Sequence, residues 1–156
     1  FAYRLKYAND FWKEAQLQYR AMKDANIKEW FSPVKDEKGL KGDELIKWAV
    51  NYFSLGGYGK FNFEISKIAE GRVRVRIEDS PFAQEYKRVF GLSKHTVCHI
   101  TRGGLSAGGS AVLNKEIEVV EEQCVAQGHP CCVMMFRPKT DFDDTKNKDY
   151  KSQLAL

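Results

Sequence analysis

Between Thr96 and Phe136 lie all four cysteines of the chain and two of its three histidines. Cys98 comes first, then Glu121-Glu122-Gln123-Cys124, then Gly128-His129-Pro130-Cys131-Cys132. Thiolates and a carboxylate are metal-ligand chemistry, and three sulfurs with one oxygen suit a tetrahedral zinc ion. The expectation is that Cys98, Glu121, Cys124 and Cys132 converge on one zinc. Such a set leaves no open position for water or substrate, so the ion would be structural. His99 or His129 can replace one of the ligands, and Glu122 can replace Glu121. The competing expectation is buried free thiols, because cysteine packs as a small hydrophobe and the chain has no CxxC pair.

The elements around these residues must bring them together. A strand is predicted over 116–124, on which Ile117, Val119 and Glu121 share parity, so the Glu121 side chain points where the apolar ones point. A carboxylate left there without a partner is costly, and a cation removes the cost. Cys124 has the opposite parity. A bulge, or the start of the turn predicted over 126–130, has to bring it round. The returning strand over 131–137 sets Cys132 beside it, with Cys131 facing the other way. Cys98 belongs to the first turn of a helix running from after Thr96 to about Leu113, where partial positive charge favours a thiolate.

Glycines at 103, 104, 108 and 109 lower the intrinsic helicity of that segment. They also let another backbone or a ligand come close. A phosphate-cradling loop is set aside because no Gly-Lys-Ser/Thr follows, and Gly56-Gly57-Tyr58-Gly59 lacks a surrounding βαβ unit.

Upstream, Ala8, Phe11, Trp12, Ala15, Tyr19 and Met22 recur at helical spacing and predict one helix over about 4–26. Residues 29–42 read as a loop with Trp30 and Phe31 as anchors. Asp43 is the expected N-cap of a second helix bearing Leu45, Trp48, Ala49, Tyr52 and Phe53, stopped by Gly56-Gly57. A hairpin follows: Phe61, Phe63 and Ile65 alternate with polar residues, then Val73, Val75 and Ile77 alternate with Arg72, Arg74 and Arg76. That arginine stripe reads as a solvated face before it reads as a phosphate-binding one. Asp79-Ser80-Pro81 opens a short helix that Gly91 ends. The expected organisation is a single domain over 1–138 and a polar C-terminal tail over 139–156, flexible or laid over the surface.

The chain has 156 residues, room for one domain with a real core. With 25 Lys and Arg against 21 Asp and Glu the net charge is +4, well short of a nucleic-acid-binding composition. No apolar run approaches the roughly 18 residues that span a bilayer, and Phe1-Ala2-Tyr3-Arg4 carries no signal-peptide pattern. Clustered cysteines beside His and Glu, without the cysteine density of a secreted scaffold, lead to a cytoplasmic expectation.

Thr96-Val97-Cys98, the small-residue helix with Gly103 and Gly108, the Glu121-x-x-Cys124 pair and the Gly128-x-x-x-Cys132 ending resemble the 4-vinyl reductase domain family over about residues 75–137. In aromatic-sensing members of that family, the positions matching Cys98, Glu121, Cys124 and Cys132 hold zinc, and the resemblance implies the same here. It further implies an α/β (α+β) architecture, with helices packed on one face of a mainly antiparallel sheet and dimers formed through the helices. The family is similar in fold to vesicle-tethering subunits and haem-nitric-oxide sensor domains. The sensing members are fused to an ATPase and a DNA-binding segment, which 156 residues do not hold.

The resulting expectation is a stand-alone, zinc-containing, sensor-like homodimer that binds a small, largely apolar or aromatic ligand. Phe11, Trp12, Trp48, Tyr52, Phe61 and Phe82 are the candidate cavity walls, and Arg102 the candidate anchor for an acidic group. No catalytic residue is assigned. Two alternatives stand beside it. One is a reductase of a vinyl or conjugated group fed by an external electron donor, since no nicotinamide or flavin signature is present. The other is a protein-interaction adaptor, which predicts a cavity-free core and a large apolar surface patch.

Overall fold

The computed structural model describes residues 2–26 and 36–155, with the backbone alone at Ile65 and Ser66. Trp30 and Phe31 lie outside the described residues. The first stretch forms two helices where one was expected: α1 (Ala2–Tyr7) and α2 (Phe11–Asn26). Asp10 causes the break. Its Oδ1 accepts the Lys13 N–H at 3.1 Å, an N-cap bond that starts a new helix. Helix α3 (Gly42–Leu55) has Lys41 at the cap position without a side-chain bond, and Asp43, the expected cap, stands in the first turn. There its charge still meets the positive end of the helix. Then come β1 (Lys60–Lys67), β2 (Arg72–Glu78), α4 (Pro81–Phe90), α5 (His99–Leu113), β3 (Ile117–Gln123), β4 (Cys132–Pro138) and α6 (Lys148–Leu154).

The strands make one antiparallel sheet in the order β1-β2-β4-β3. Val73, Val75 and Ile77 of β2, Val119 of β3 and Met134 of β4 turn one face inward, onto Leu105 of α5 and Phe53 of α3. Helices on this face of an antiparallel sheet are the expected architecture, and the alternation of β2 specifies it. Strands β3 and β4 are instead buried on both faces. Phe63 departs from that pattern and is 39% exposed, next to a register shift between Phe63 and Ile65.

On the other face the arginine stripe is ion-paired. Arg72 meets Asp141 at 2.9 Å and Glu70 at 3.0 Å, Arg74 meets Glu122 at 2.9 Å and also Glu64, and Arg76 meets Glu78 at 3.1 Å. Residues 139–155 lie over the sheet. Phe142 is buried against Val120 and Met135, with Tyr150 and Leu154 of α6 alongside. Among the described residues no helix is long and apolar enough to cross a membrane.

An edge strand ordinarily presents unpaired N–H and C=O groups. On β3 these are met by side chains instead. Ile117 donates to Ser110 Oγ at 3.0 Å and accepts from Ser106 Oγ at 2.6 Å. Val119 donates to the Tyr19 hydroxyl at 3.5 Å and accepts from Arg102 Nη1 at 2.8 Å. Glu121 donates to Gln153 Oε1 at 2.8 Å and accepts from Gln153 Nε2 at 2.9 Å. Helices α2, α5 and α6 thus replace a neighbouring strand, which fixes where β3 ends and where Glu121 points.

Candidate metal centre and ligand cavity

Cys98 is the N-cap residue of α5, and Cys132 is the first residue of β4. Glu121 lies near the end of β3, followed by a register shift between Glu121 and Gln123. That irregularity is the bulge the parity of Cys124 demanded. Cys124 then precedes a single 3₁₀ turn, Val125–Gln127, closed by Gly128 at φ +99°, where a side chain would be strained. The four donor atoms lie within 4.8 Å of one another, and all four residues are buried. Cys98 Sγ and Cys132 Sγ are 3.7 Å apart.

Hydrogen bonds orient the set. Glu121 Oε2 accepts the Cys98 N–H at 3.1 Å, while Oε1 has no hydrogen-bond partner. Val125 N–H points at Cys132 Sγ at 3.5 Å, and Ser80 Oγ lies 3.5 Å from Cys98 Sγ. Contact with Cys124 and Cys132, then burial, holds the Cys98 thiol well above the usual range, and Cys132 does the same to Cys124. Donation from Cys124 and Cys98 lowers Cys132, making it the favoured thiolate. Burial pushes the Glu121 carboxyl up to about 8. A site that resists charging in all but one member, with a carboxylate oxygen left orphaned, can hold a metal ion that supplies the missing charge.

The alternative ligands stand apart. His129 is exposed, and Cys131 is half-buried. Glu122 is engaged by Arg74 and by the Tyr150 hydroxyl at 2.9 Å. His99 is buried, but its Nδ1 accepts from Arg102 Nη2 at 3.1 Å, and burial lowers its pKa well below the ordinary value, which keeps it neutral. Its other nitrogen, Nε2, has no partner.

Of the candidate cavity walls, Phe61 alone lines the apolar cavity that the structure shows between α3, α5 and the sheet. That cavity, of ≈ 50 Å³, is walled by Ala49, Phe53, Val75, Leu105, Gly108 and Phe136 among others. Phe82 lines a separate apolar groove of ≈ 410 Å³ under α1. Trp12 borders a polar cavity of ≈ 160 Å³ beside Thr96 and Glu121. Phe11 packs on the His95 and His99 rings, and Trp48 stacks on Tyr52 at 5.4 Å. Arg102 is fully buried and spends its Nη atoms on Val119, Gln153 and His99, with its guanidinium 4.4 Å from the Tyr19 ring centre. Sequence reasoning favoured large aromatics and so passed over Ala49, Leu105 and Gly108. The usable signal was the glycine run, which marks a helix face without side chains.

No curated protein matches the sequence. Several solved structures share the fold, among them the following three. One is the phenol-responsive sensory domain of the transcription activator PoxR, crystallised with phenol; the TM-score is 0.78 at 19% identity, over 99% of this chain and 76% of that one. Another is trafficking protein particle complex subunit 3 from Naegleria fowleri, covalently bound to palmitic acid, with TM-score 0.56 at 11% identity, over 88% of this chain and 87% of that one. The third is a vinyl-4-reductase family protein from Methanocaldococcus jannaschii, with TM-score 0.51 at 16% identity, over 86% of this chain and 72% of that one. The resemblance read from Cys98, Glu121, Cys124 and Cys132 has a counterpart in a family model, that of the V4R domain, which matches residues 73–138 of this chain.

Proposed function

We propose that this chain is a small-molecule-binding, sensor-like domain in which zinc is structural and the apolar cavity takes a small, largely apolar ligand. The observation that carries it is the cavity, whose wall is almost wholly carbon and sits where the glycines of α5 face α3. The adaptor alternative predicts a cavity-free core, and the space between α3 and α5 favours the ligand-binding reading over it. Fold likeness to a phenol-responsive sensory domain supports the same choice.

Zinc fits the donor set. A tetrahedron with zinc–sulfur bonds of about 2.3 Å has edges of about 3.8 Å, and the Cys98–Cys132 sulfur separation is 3.7 Å. Bound there, zinc would supply the positive charge that lets the buried thiols and carboxylate ionise. Cys98 would tie the start of α5 to the β3–β4 hairpin, leaving no position for a reacting molecule. Ligation of the cysteines suits a reducing, cytoplasmic setting. The proposal includes a homodimer through the helices, for which exposed Tyr3, Tyr7 and Leu17 offer apolar surface; sedimentation velocity reads it directly.

At ≈ 50 Å³ the cavity is smaller than the roughly 150 Å³ that suffices for benzene in an engineered core. Ligand entry therefore requires outward movement of α3, which begins at Gly42, φ +53°, and is followed by Gly57, φ +81°. A phenol-sized aromatic at a hundred times its Kd is expected to stabilise the protein by about 2.7 kcal/mol, or roughly 5–10 °C in melting temperature. Ala49→Leu, which fills the cavity, is expected to abolish that shift. A panel of phenols and alkylbenzenes that leaves the melting temperature unchanged, or a shift that survives Ala49→Leu, rules out this cavity as the ligand site.

A further inference from the structure

Helix α6 grips a residue of the metal set by its backbone. Glu121 sits on the edge strand, so its N–H and C=O have no strand partner, and the carboxamide of Gln153 bonds both, at 2.8 and 2.9 Å. Gln153 is 1% exposed. Its own carbonyl accepts from Arg102 Nη2 at 3.1 Å, and Arg102 Nη1 reaches Val119 O at 2.8 Å. The guanidinium therefore pins α6 and β3 together from α5, one turn beyond Cys98. One residue further along β3, Glu122 Oε1 accepts the Tyr150 hydroxyl at 2.9 Å, a second tie from α6 to this end of the strand. With its backbone held from one side, Glu121 sends its carboxylate to the other. There Oε2 takes the Cys98 N–H and Oε1 is left facing the sulfurs.

We propose that Gln153 is the positioning residue for Glu121, and that metal occupancy and docking of α6 on the β3 edge are consequently coupled. The inference rests on the metal reading above. Two amide bonds fix the peptide planes on both sides of Glu121, so the ligand's carboxylate needs no reordering when the ion binds. Partners of this kind outside the ligand set typically change metal affinity by about 10- to 100-fold when removed. Coupling between two binding events is reciprocal, so the factor by which docked α6 tightens the metal is the factor by which metal tightens α6. Loss of metal would leave the Glu121 carboxylate held by the Cys98 N–H alone and so weaken the hold of α6 on the sheet edge by that factor. The carboxy-terminal helix is in this way a latch that reports the state of the metal centre.

The test uses the whole chain and cobalt(II) as a spectroscopic stand-in for zinc. Gln153→Met, close to Gln in volume, removes both bonds. It is expected to weaken cobalt and zinc binding about 10- to 100-fold in competition with a chromogenic chelator, whereas Lys151→Ala, on the exposed side of α6, leaves binding unchanged. In the unmutated chain, chelation is expected to speed amide hydrogen exchange at 148–154 by the same factor. Gln153→Met that binds as tightly as the unmutated chain overturns the coupling, and so does exchange at 148–154 that ignores chelation. Reciprocity requires both effects together, with 148–154 sped more than β1, because a fold merely destabilised by chelation speeds exchange in both segments alike. If the unmutated chain shows no thiolate-to-cobalt absorption, the metal reading and the coupling fall together.

Discussion

Cys124→Ser is expected to empty the metal site and lower stability by several kcal/mol. Cys124 is fully buried, and its sulfur lies among those of Cys98 and Cys132 and the Glu121 carboxylate. A serine hydroxyl ionises far less readily than a thiol and is a poor fourth ligand. Once the cation leaves, the remaining acid and thiols are buried without charge compensation, a situation that costs roughly 3–5 kcal/mol. For a domain of this length that is about 10 °C in melting temperature. Metal analysis together with thermal melts, with and without chelator, reads the effect. A serine variant that retains the metal and melts where the unmutated chain does would end the structural-metal proposal.

The same site sets a pH signature. In the metal-free chain, burial raises the Glu121 carboxyl from its ordinary 4.5 to about 8. An acid whose folded pKa is raised stabilises the fold fully below about pH 4.5 and loses that contribution as pH climbs through about 8. Metal binding needs the ionised carboxylate and thiolates, so affinity for metal rises over the same window. In the metal-free chain the lowered Cys132 thiol and the buried neutral His99 oppose the Glu121 contribution over this window. The metal-loaded chain is therefore expected to gain stability with pH more steeply than the metal-free one. Melts across that range with chelator or excess zinc compare the two slopes.

Gly103→Ala is the second change expected to be severe. A Cβ on Gly103 would overlap the Tyr19 carbonyl oxygen and stand 2.8 Å from Met22 Cβ and 3.2 Å from the Lys23 N. Two of these are backbone atoms of α2, so no flexible side-chain end can swing away. Helix α2 would have to lift off α5. Tyr19 would go with it, and its hydroxyl bonds Glu118, which also takes Lys23 Nζ at 2.6 Å. Overpacking of a rigid contact costs roughly 1–3 kcal/mol or more, partly offset by the better helix propensity of alanine, worth about 1 kcal/mol. A net loss of about 2 kcal/mol, the upper end of that range less the offset, with reduced soluble yield, is the expected outcome. Gly104→Ala is the informative contrast, because its Cβ would meet only the Phe53 ring at 3.1 Å, a side chain that can tilt. Equal melting temperatures for the two variants would contradict a backbone contact at Gly103.

Much of this fold was legible in the residues. Alternation in 72–78 specified a strand and its inward face, because a period of two leaves one side apolar. The shared parity of Ile117, Val119 and Glu121 placed the Glu121 side chain with the apolar ones. The misplaced parity of Cys124 required a bulge, and one lies between Glu121 and Gln123. Where the sequence misled, a local competitor had been underweighted. The apolar stripe through Ala8 and Phe11 runs across a break that the capping carboxylate of Asp10 enforces. Arg102 read as a candidate anchor for an acidic group, and nothing near it in the chain shows that β3 would return to offer the Val119 carbonyl.

Taken alone, the sequence determined the antiparallel sheet with its helical cover and the four residues able to meet at one ion. Side-chain period, turn glycines and donor chemistry are local properties and survive without a fold. Only the tertiary structure decided which surfaces became cavity and which became latch. The space beside Ala49 and Gly108, and the grip of Gln153 on Glu121, join residues far apart in the chain. Such contacts exist only after α3, α5 and α6 have closed around the sheet, so no pattern along the chain encodes them.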